Sequence, residues 1–207
     1  MKRHHLPIIR RALVESDKFW LAWHKPDVCV AACRAMQLAM RDLGITLEPI
    51  VARARFLNAR MQKAVDTGEL DQYQDAAELA RWREETGAWG VGLGYVDPKV
   101  ALGFEPLEEN KWGSHLALMD RKESLFIDPT MGQASRPQKG IVLPQSIADR
   151  VPVRFLNGEG EAGIMFGSAI GYYKVFPSER NTWYVSPDWR EKKRHKQLVK
   201  QILKAIR

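Results

Sequence analysis

The sequence predicts an α+β domain, with helices segregated from an antiparallel sheet, and three observations predict it. The stretch PDVCVAACRAMQLAMRDLGI, Pro26 to Ile45, carries apolar residues at helical spacing. SHLALM and SLFID are two short apolar strands separated by the polar run DRKE. The last twenty residues form a basic helix with an apolar stripe at Leu198, Ile202 and Ile206. The order is helix, helix, strand, helical insert, several strands, helix, which places helices against an antiparallel sheet. A chain of 207 residues fits a single domain over 1–207 and can bury a substantial core.

Taken in order, residues 1–25 read as one or two short helices ending in the aromatics Phe19, Trp20 and Trp23. Asp27 is the expected N-cap of the next helix, its carboxylate free to accept first-turn amides. The apolar face of that helix runs Cys29, Ala32, Cys33, Met36, Ala39, Met40, Leu43, and Gly44 ends it at the C′ position. EPIVARARFL, residues 48–57, alternates and is rich in β-branched side chains, the pattern of a strand.

Residues 58–86 return to helical spacing with a break at Thr67-Gly68, and their charge places this insertion outside the core. GAWGVGLGY, residues 87–95, has glycines but no GKS or GKT ending, so it reads as a loop or irregular strand rather than a phosphate loop. Residues 129–150 are loop-like. VPVRFL and GIMFGSAIGYYKVF read as further strands. The C-terminal helix, about residues 187–207, takes Ser186 or Asp188 as its cap.

The N-terminus MKRHHLPIIRRALVES is basic, but its apolar run is too short for a signal-peptide core. EAGIMFGSAIGYY is broken by glycines and falls short of the roughly 18 apolar residues of a membrane span. These patterns point to a cytoplasmic protein with no membrane partner. Two cysteines supply no disulfide framework. The 32 Lys and Arg against 25 Asp and Glu give a net charge of +7. The excess gathers near the ends, in MKRHHLPIIRR and REKKRHKQLVKQILKAIR, where it suits a solvated surface, nucleic acid or an acidic partner.

A cysteine on an apolar helix face is ordinarily a small core residue, and a histidine opening a strand is ordinarily structural. The hairpin changes that reading. If DRKE is the turn, Met119 faces Ser124, Ala117 faces Phe126 and His115 faces Asp128. Directly opposed residues share a sheet face with Cβ atoms about 4.5–5.5 Å apart, so a carboxylate can orient an imidazole. Leu116, Leu118, Leu125 and Ile127 then make the other face buried too. A helix N-terminus and an adjacent His both favour a thiolate, and a carboxylate on the far nitrogen fixes the His tautomer. Cys29, His115 and Asp128 thus form a nucleophile, base and orienter. Cys33, one turn deeper, ranks second as nucleophile. Cys29, Cys33 and His115 make a poor metal site, and His4, His5, His24 and His195 show no ligand spacing to one another. No cofactor motif is present.

These residues resemble the transglutaminase-like cysteine hydrolase superfamily, a papain-type fold that includes bacterial transglutaminase-like peptidases, lasso-peptide leader peptidases and, more distantly, arylamine N-acetyltransferases. The resemblance lies in a cysteine opening a helix that ends at Leu43-Gly44-Ile45 before a strand, in Gly113-Ser114-His115, and in Ile127-Asp128-Pro129-Thr130 with Gln133 close behind. The order Cys, His, Asp is also the superfamily's. The likeness covers roughly Pro26–Gln133. Many members have an aromatic two residues after the histidine, where this chain has Ala117, so the substrate groove departs from the pattern.

The resemblance implies a nucleophile-bearing helix packed on an antiparallel sheet, and acyl transfer through a Cys29 thioester. Water as acceptor gives hydrolysis of a peptide, isopeptide or side-chain amide. An amine acceptor gives transamidation or acetyl transfer. The Cys29 backbone N–H is one expected oxyanion donor, with Trp23 or His24 as the second. Residues 58–110 would be variable and could cap the groove. A different class of function is a binding module that uses its basic C-terminal helix on nucleic acid or an acidic protein, and a third is a structural protein in which the triad is fortuitous.

Overall fold

The architecture is organised by one long strand. In the computed structural model, which describes residues 4–21, 28–73, 75–94, 115–167, 169–178, 182–190 and 192–207, β1 spans Glu48–Asn58. It follows helices α1, His5–Leu21, and α2, Cys29–Arg41. After β1 come α3, Ala59–Asp66, and α4, Ala76–Thr86. The remaining strands are β2, Gly90–Leu93; β3, His115–Asp120; β4, Leu125–Asp128; β5, Ile147–Arg150; β6, Ala162–Phe166; and β7, Ala169–Phe176. Between β5 and β6 lies a single helical turn, α5, Val153–Leu156, and the last helix is α6, Lys193–Ile206. The seven strands form one sheet in the order β5-β4-β3-β1-β7-β6, with β2 also on β1, and every pairing is antiparallel. The α+β class expected from the sequence is the class found.

One edge of β1 runs along β7 for eight residue pairs. The other edge is shared: Glu48–Ala52 pair with β3 and Ala54–Leu57 pair with β2. His115 opposite Ala52 and Leu93 opposite Ala54 therefore sit almost end to end on that edge.

Helices α1, α2 and α6 cover one face of the sheet. Their apolar side chains pack on Leu116, Leu118, Leu125 and Ile127, all fully buried. Alternation along β3 turns Ala117 and Met119 to the other face, where the sheet curls around a second core containing Phe56, Phe126, Phe155 and Tyr173. The stripe expected on α2 is buried, Leu43 only partly, and Val30, Ala31, Ala35 and Leu38 are buried as well. Neighbours on several sides leave only Arg34 and Gln37 of this helix half-exposed before Arg41. Gly44, with φ 75, ends it. The Gly44 N–H bonds the Arg41 carbonyl and the Ile45 N–H bonds that of Met40, the paired pattern of a Schellman motif.

Several expectations need correction. The hairpin turn is Arg121–Ser124, so Asp120 faces Leu125, Met119 faces Phe126 and Leu118 faces Ile127. Asp120 Oδ1 accepts the amides of Lys122 at 2.9 Å and Glu123 at 3.4 Å, which starts the turn one residue later than DRKE implied. The register moves by two in sum, and a slip of two keeps every side chain on its face. VPVRFL is not a strand: Pro152 is the N-cap of α5, Val153–Leu156, and without an N–H it cannot donate to a strand ladder. Residues 129–150, expected as loop, contain β5. The insertion is not wholly outside a core, since α3, α4 and the turn between them bury Met61, Leu70, Leu79 and Trp82 against Leu57. Neither Ser186 nor Asp188 caps α6. Its N-cap is Lys192, whose backbone N–H donates to His195 Nδ1 at 3.2 Å, while Asp188 instead pairs with Lys192 and Arg194. The residue before α2 is Val28, and its side chain makes no capping hydrogen bond. The expected cap Asp27 lies outside the described residues, as do Trp23 and residues 95–110 of the expected groove cap.

Candidate active site

Two anchors place the site. The Cys33 thiol, on the buried face of α2, donates to the Leu116 carbonyl at 3.2 Å, which pins the helix against β3. Cys29 lies four residues, about 6 Å, nearer the helix start, and His115 is the residue before Leu116. His115 opens β3, so its ring stands at the end of the strand, close enough to the thiol of Cys29 for that thiol to raise its proton affinity.

On the other side, His115 Nε2 is 2.8 Å from Asp128 Oδ2. Bonding at Nε2 leaves Nδ1 outside the contact with Asp128. Asp128 ends β4 and is held by two further donors. The Thr130 backbone N–H donates to its Oδ1 at 2.9 Å, and the Tyr173 hydroxyl donates to its Oδ2 at 3.0 Å. All three expected site residues therefore come together, with His115 central. The contact is diagonal across the hairpin, because Asp128 sits opposite β3 beyond its last registered pair.

Sequence reasoning missed Tyr173. It lies on β7, 45 residues from Asp128, within an aromatic strand that reads as core. The available signal was its inward parity with Gly171 and Val175, since a buried tyrosine hydroxyl needs a partner. Its ring is wedged against Phe126 at 5.0 Å and Phe56 at 5.7 Å between centroids. Phe56 in turn occupies the space over Gly171, where a Cβ would come within 2.9 Å of the Phe56 ring.

The site is dry. His115 is 2% exposed and Asp128 0%, while Cys29 keeps 7% against 0% for Cys33. Burial by itself would lower the proton affinity of His115. The Asp128 charge and hydrogen bond, joined by Cys29, outweigh it and push His115 up to about 10. Burial drives Tyr173 well above its ordinary value, and Asp128 adds to this, so the phenol stays a donor. Burial, then Cys29 and Asp128, drive the Cys33 thiol up likewise. Cys33 is thus a tethered core residue, and Cys29 is the thiol with an imidazole partner.

Cys29 is the first residue of α2, and the first intrahelical bond runs from Ala32 N–H to the Val28 carbonyl. Amides of the first turn are left without helical acceptors, so the Cys29 N–H is placed where an oxyanion could accept from it. Trp23 and His24, expected as second donors, lie outside the described residues. Ala117 is fully buried in the second core, and its small size belongs to that packing. Among the described residues no group of three His, Cys, Asp or Glu side chains could hold a metal ion, and no helix is long and apolar enough to cross a membrane. A cleft of about 730 Å³ between β5 and β6 is lined by Val151, Phe155 and Ile164 among others, and by none of the three site residues. Compared with known proteins, the chain matches no family model, no curated protein and no solved structure.

Proposed function

We propose that the chain is a thiol-dependent acyl-transfer enzyme with Cys29 as nucleophile, His115 as acid and base, and Asp128 as the orienting carboxylate, in a papain-type arrangement resembling the transglutaminase-like hydrolases. One observation carries the reading: a buried imidazole is bonded through Nε2 to a carboxylate, beside the thiol of Cys29 at a helix N-terminus. A core cysteine needs neither partner.

The sulfur adds to the carbonyl carbon of a peptide, isopeptide or side-chain amide. The resulting oxyanion accepts from the Cys29 N–H. His115 gives its proton to the leaving nitrogen as the C–N bond breaks, and a thioester remains on Cys29. Water then attacks that thioester and gives a proton to His115, the carbon–sulfur bond breaks, and the acid leaves. An amine in place of water would give transamidation by the same steps.

Alkylation tests the reading without a known substrate. Iodoacetamide is reacted with the folded protein from about pH 4 to 9, and labelled sites are located by mass spectrometry. Rapid labelling of Cys29 below pH 7, lost in His115→Ala, supports it. Slow labelling that follows ordinary thiol ionisation, indifferent to His115, overturns it.

A further inference from the structure

We propose that the solvent face of α6 is a docking surface for the phosphate backbone of a nucleic acid. The last sixteen residues, α6 with its cap and end, carry a charge equal to the net charge of the whole protein. Residues 192–207 hold seven Lys and Arg and no Asp or Glu, so the rest of the chain balances at 25 cations against 25 anions.

The distribution on the helix is one-sided. Lys193, Lys196, Lys200, Lys204 and Arg207 are all exposed. At about 100° per residue they fall within an arc of roughly 80°. His195, Leu198 and Ile202 are buried on the far side, where α6 packs on α1 and α2. Lys192 and Arg194 are committed to Asp188. Lys193, Lys200, Lys204 and Arg207 have no ion pair among the described residues. The stripe is about 21 Å long at 1.5 Å per residue, about six steps of a duplex at 3.4 Å each.

The side-chain types choose among anionic partners. Protein interfaces are depleted in lysine and use aromatic or apolar anchors, whereas this face offers only lysine, arginine and the exposed Gln197 and Gln201. A helix that binds a membrane surface presents its apolar face to the lipid, but Leu198 and Ile202 of α6 are fully buried in the protein core. A rigid row of flexible cations with amide side chains between them matches phosphate contacts, which position without reading sequence.

The test is fluorescence anisotropy with a labelled 20-base-pair DNA duplex and a labelled RNA strand of equal length, using the full chain. Four to five phosphate contacts predict that affinity falls on the order of 100-fold between 50 and 200 mM salt. The variant K193Q/K200Q/K204Q/R207Q, shown folded by circular dichroism, is expected to lose about 30-fold in affinity at 50 mM salt with a flatter salt slope. Cys29→Ala is expected to bind like wild type, which separates this surface from the acyl-transfer reading. No binding of either nucleic acid at 50 mM salt, or equal binding by the variant, overturns the proposal. So does a preference for phosphatidylserine vesicles or poly-glutamate over both nucleic acids.

Discussion

At the scale of single residues, Asp128 decides what His115 does. Burial works against the imidazolium, and Asp128 is the main force opposing it. In Asp128→Asn burial wins, so His115 should titrate below its ordinary value of 6.5, and Cys29 alkylation below pH 7 should fall with it. An NMR titration of the His115 ring reads this directly; a value still near 10 would show that Asp128 is not the cause. The sign for stability follows from the same shift. A histidine whose folded pKa is raised contributes stability that is complete below the unfolded value, near 6.5, and is lost as pH climbs through about 10. The melting-temperature gap between wild type and His115→Gln should therefore narrow across that window.

Tyr173 acts through Asp128. Tyr173→Phe removes a buried hydrogen bond to a charged group, at a cost of about 1.5–3 kcal/mol. It also leaves Asp128 with more charge for His115, so the His115 titration should move upward. Phe126→Leu, which disturbs the same packing, should leave that titration in place. Cys29, His115 and Asp128 were legible because each stands in a local pattern: a helix start, a strand start and a strand end. Tyr173 was not, because its partner is three strands away in the sheet and its neighbours in sequence explain it equally well as core.

Elements show the same division between local and long-range information. β1 and α2 were legible because each carries a local pattern, a run rich in apolar residues in β1 and an apolar stripe in α2 that is buried, although burial in both extends beyond that pattern. VPVRFL misled because β-branched residues in so short a run are read before the proline that interrupts them. β5 was hidden because four residues with the pattern half-buried, buried, exposed, exposed carry almost no alternation, and only β4 gives them a place. Hydrophobic alternation fits both hairpin registers equally, and the turn hydrogen bonds of Asp120 go with the one found. On β7 the interlock of Gly171 with the Phe56 and Phe166 rings is the element-level constraint on the site. Gly171→Ala forces a methyl into a 2.9 Å contact and should cost about 1–3 kcal/mol by overpacking. Because Phe56 packs on Tyr173, the same change should weaken the effect of Tyr173 on Asp128. Chemical denaturation and Cys29 alkylation measured together check this. Loss of stability with an unchanged alkylation profile would show that Phe56 does not support the site.

For the whole molecule, the helical layer should be the acid-sensitive part, because α6 docks through a buried histidine. His195 sits in the first turn of α6, its Nδ1 accepting the Lys192 amide. Its charged form is opposed by burial first, then by Arg194, Lys192 and Arg34, with Asp188 alone in its favour, and its pKa falls to about 4. A histidine with a depressed folded pKa binds its proton in the unfolded chain first. Its contribution is intact above about 6.5 and is lost as pH falls from there toward 4. This runs opposite to His115, which does not weaken the fold in that range. Acid should therefore loosen α6 from α1 and α2 while the His115–Asp128 pair holds. His195→Leu removes the titrating group and the acceptor of the Lys192 amide, so it should lower stability at pH 7 yet make it less dependent on pH between 6.5 and 4. Hydrogen exchange of the α6 amides should show the same contrast, with wild type losing protection in acid and the variant losing less. Equal acid sensitivity of the two proteins would place the weakness elsewhere, in the carboxylates paired with Arg and Lys across the surface.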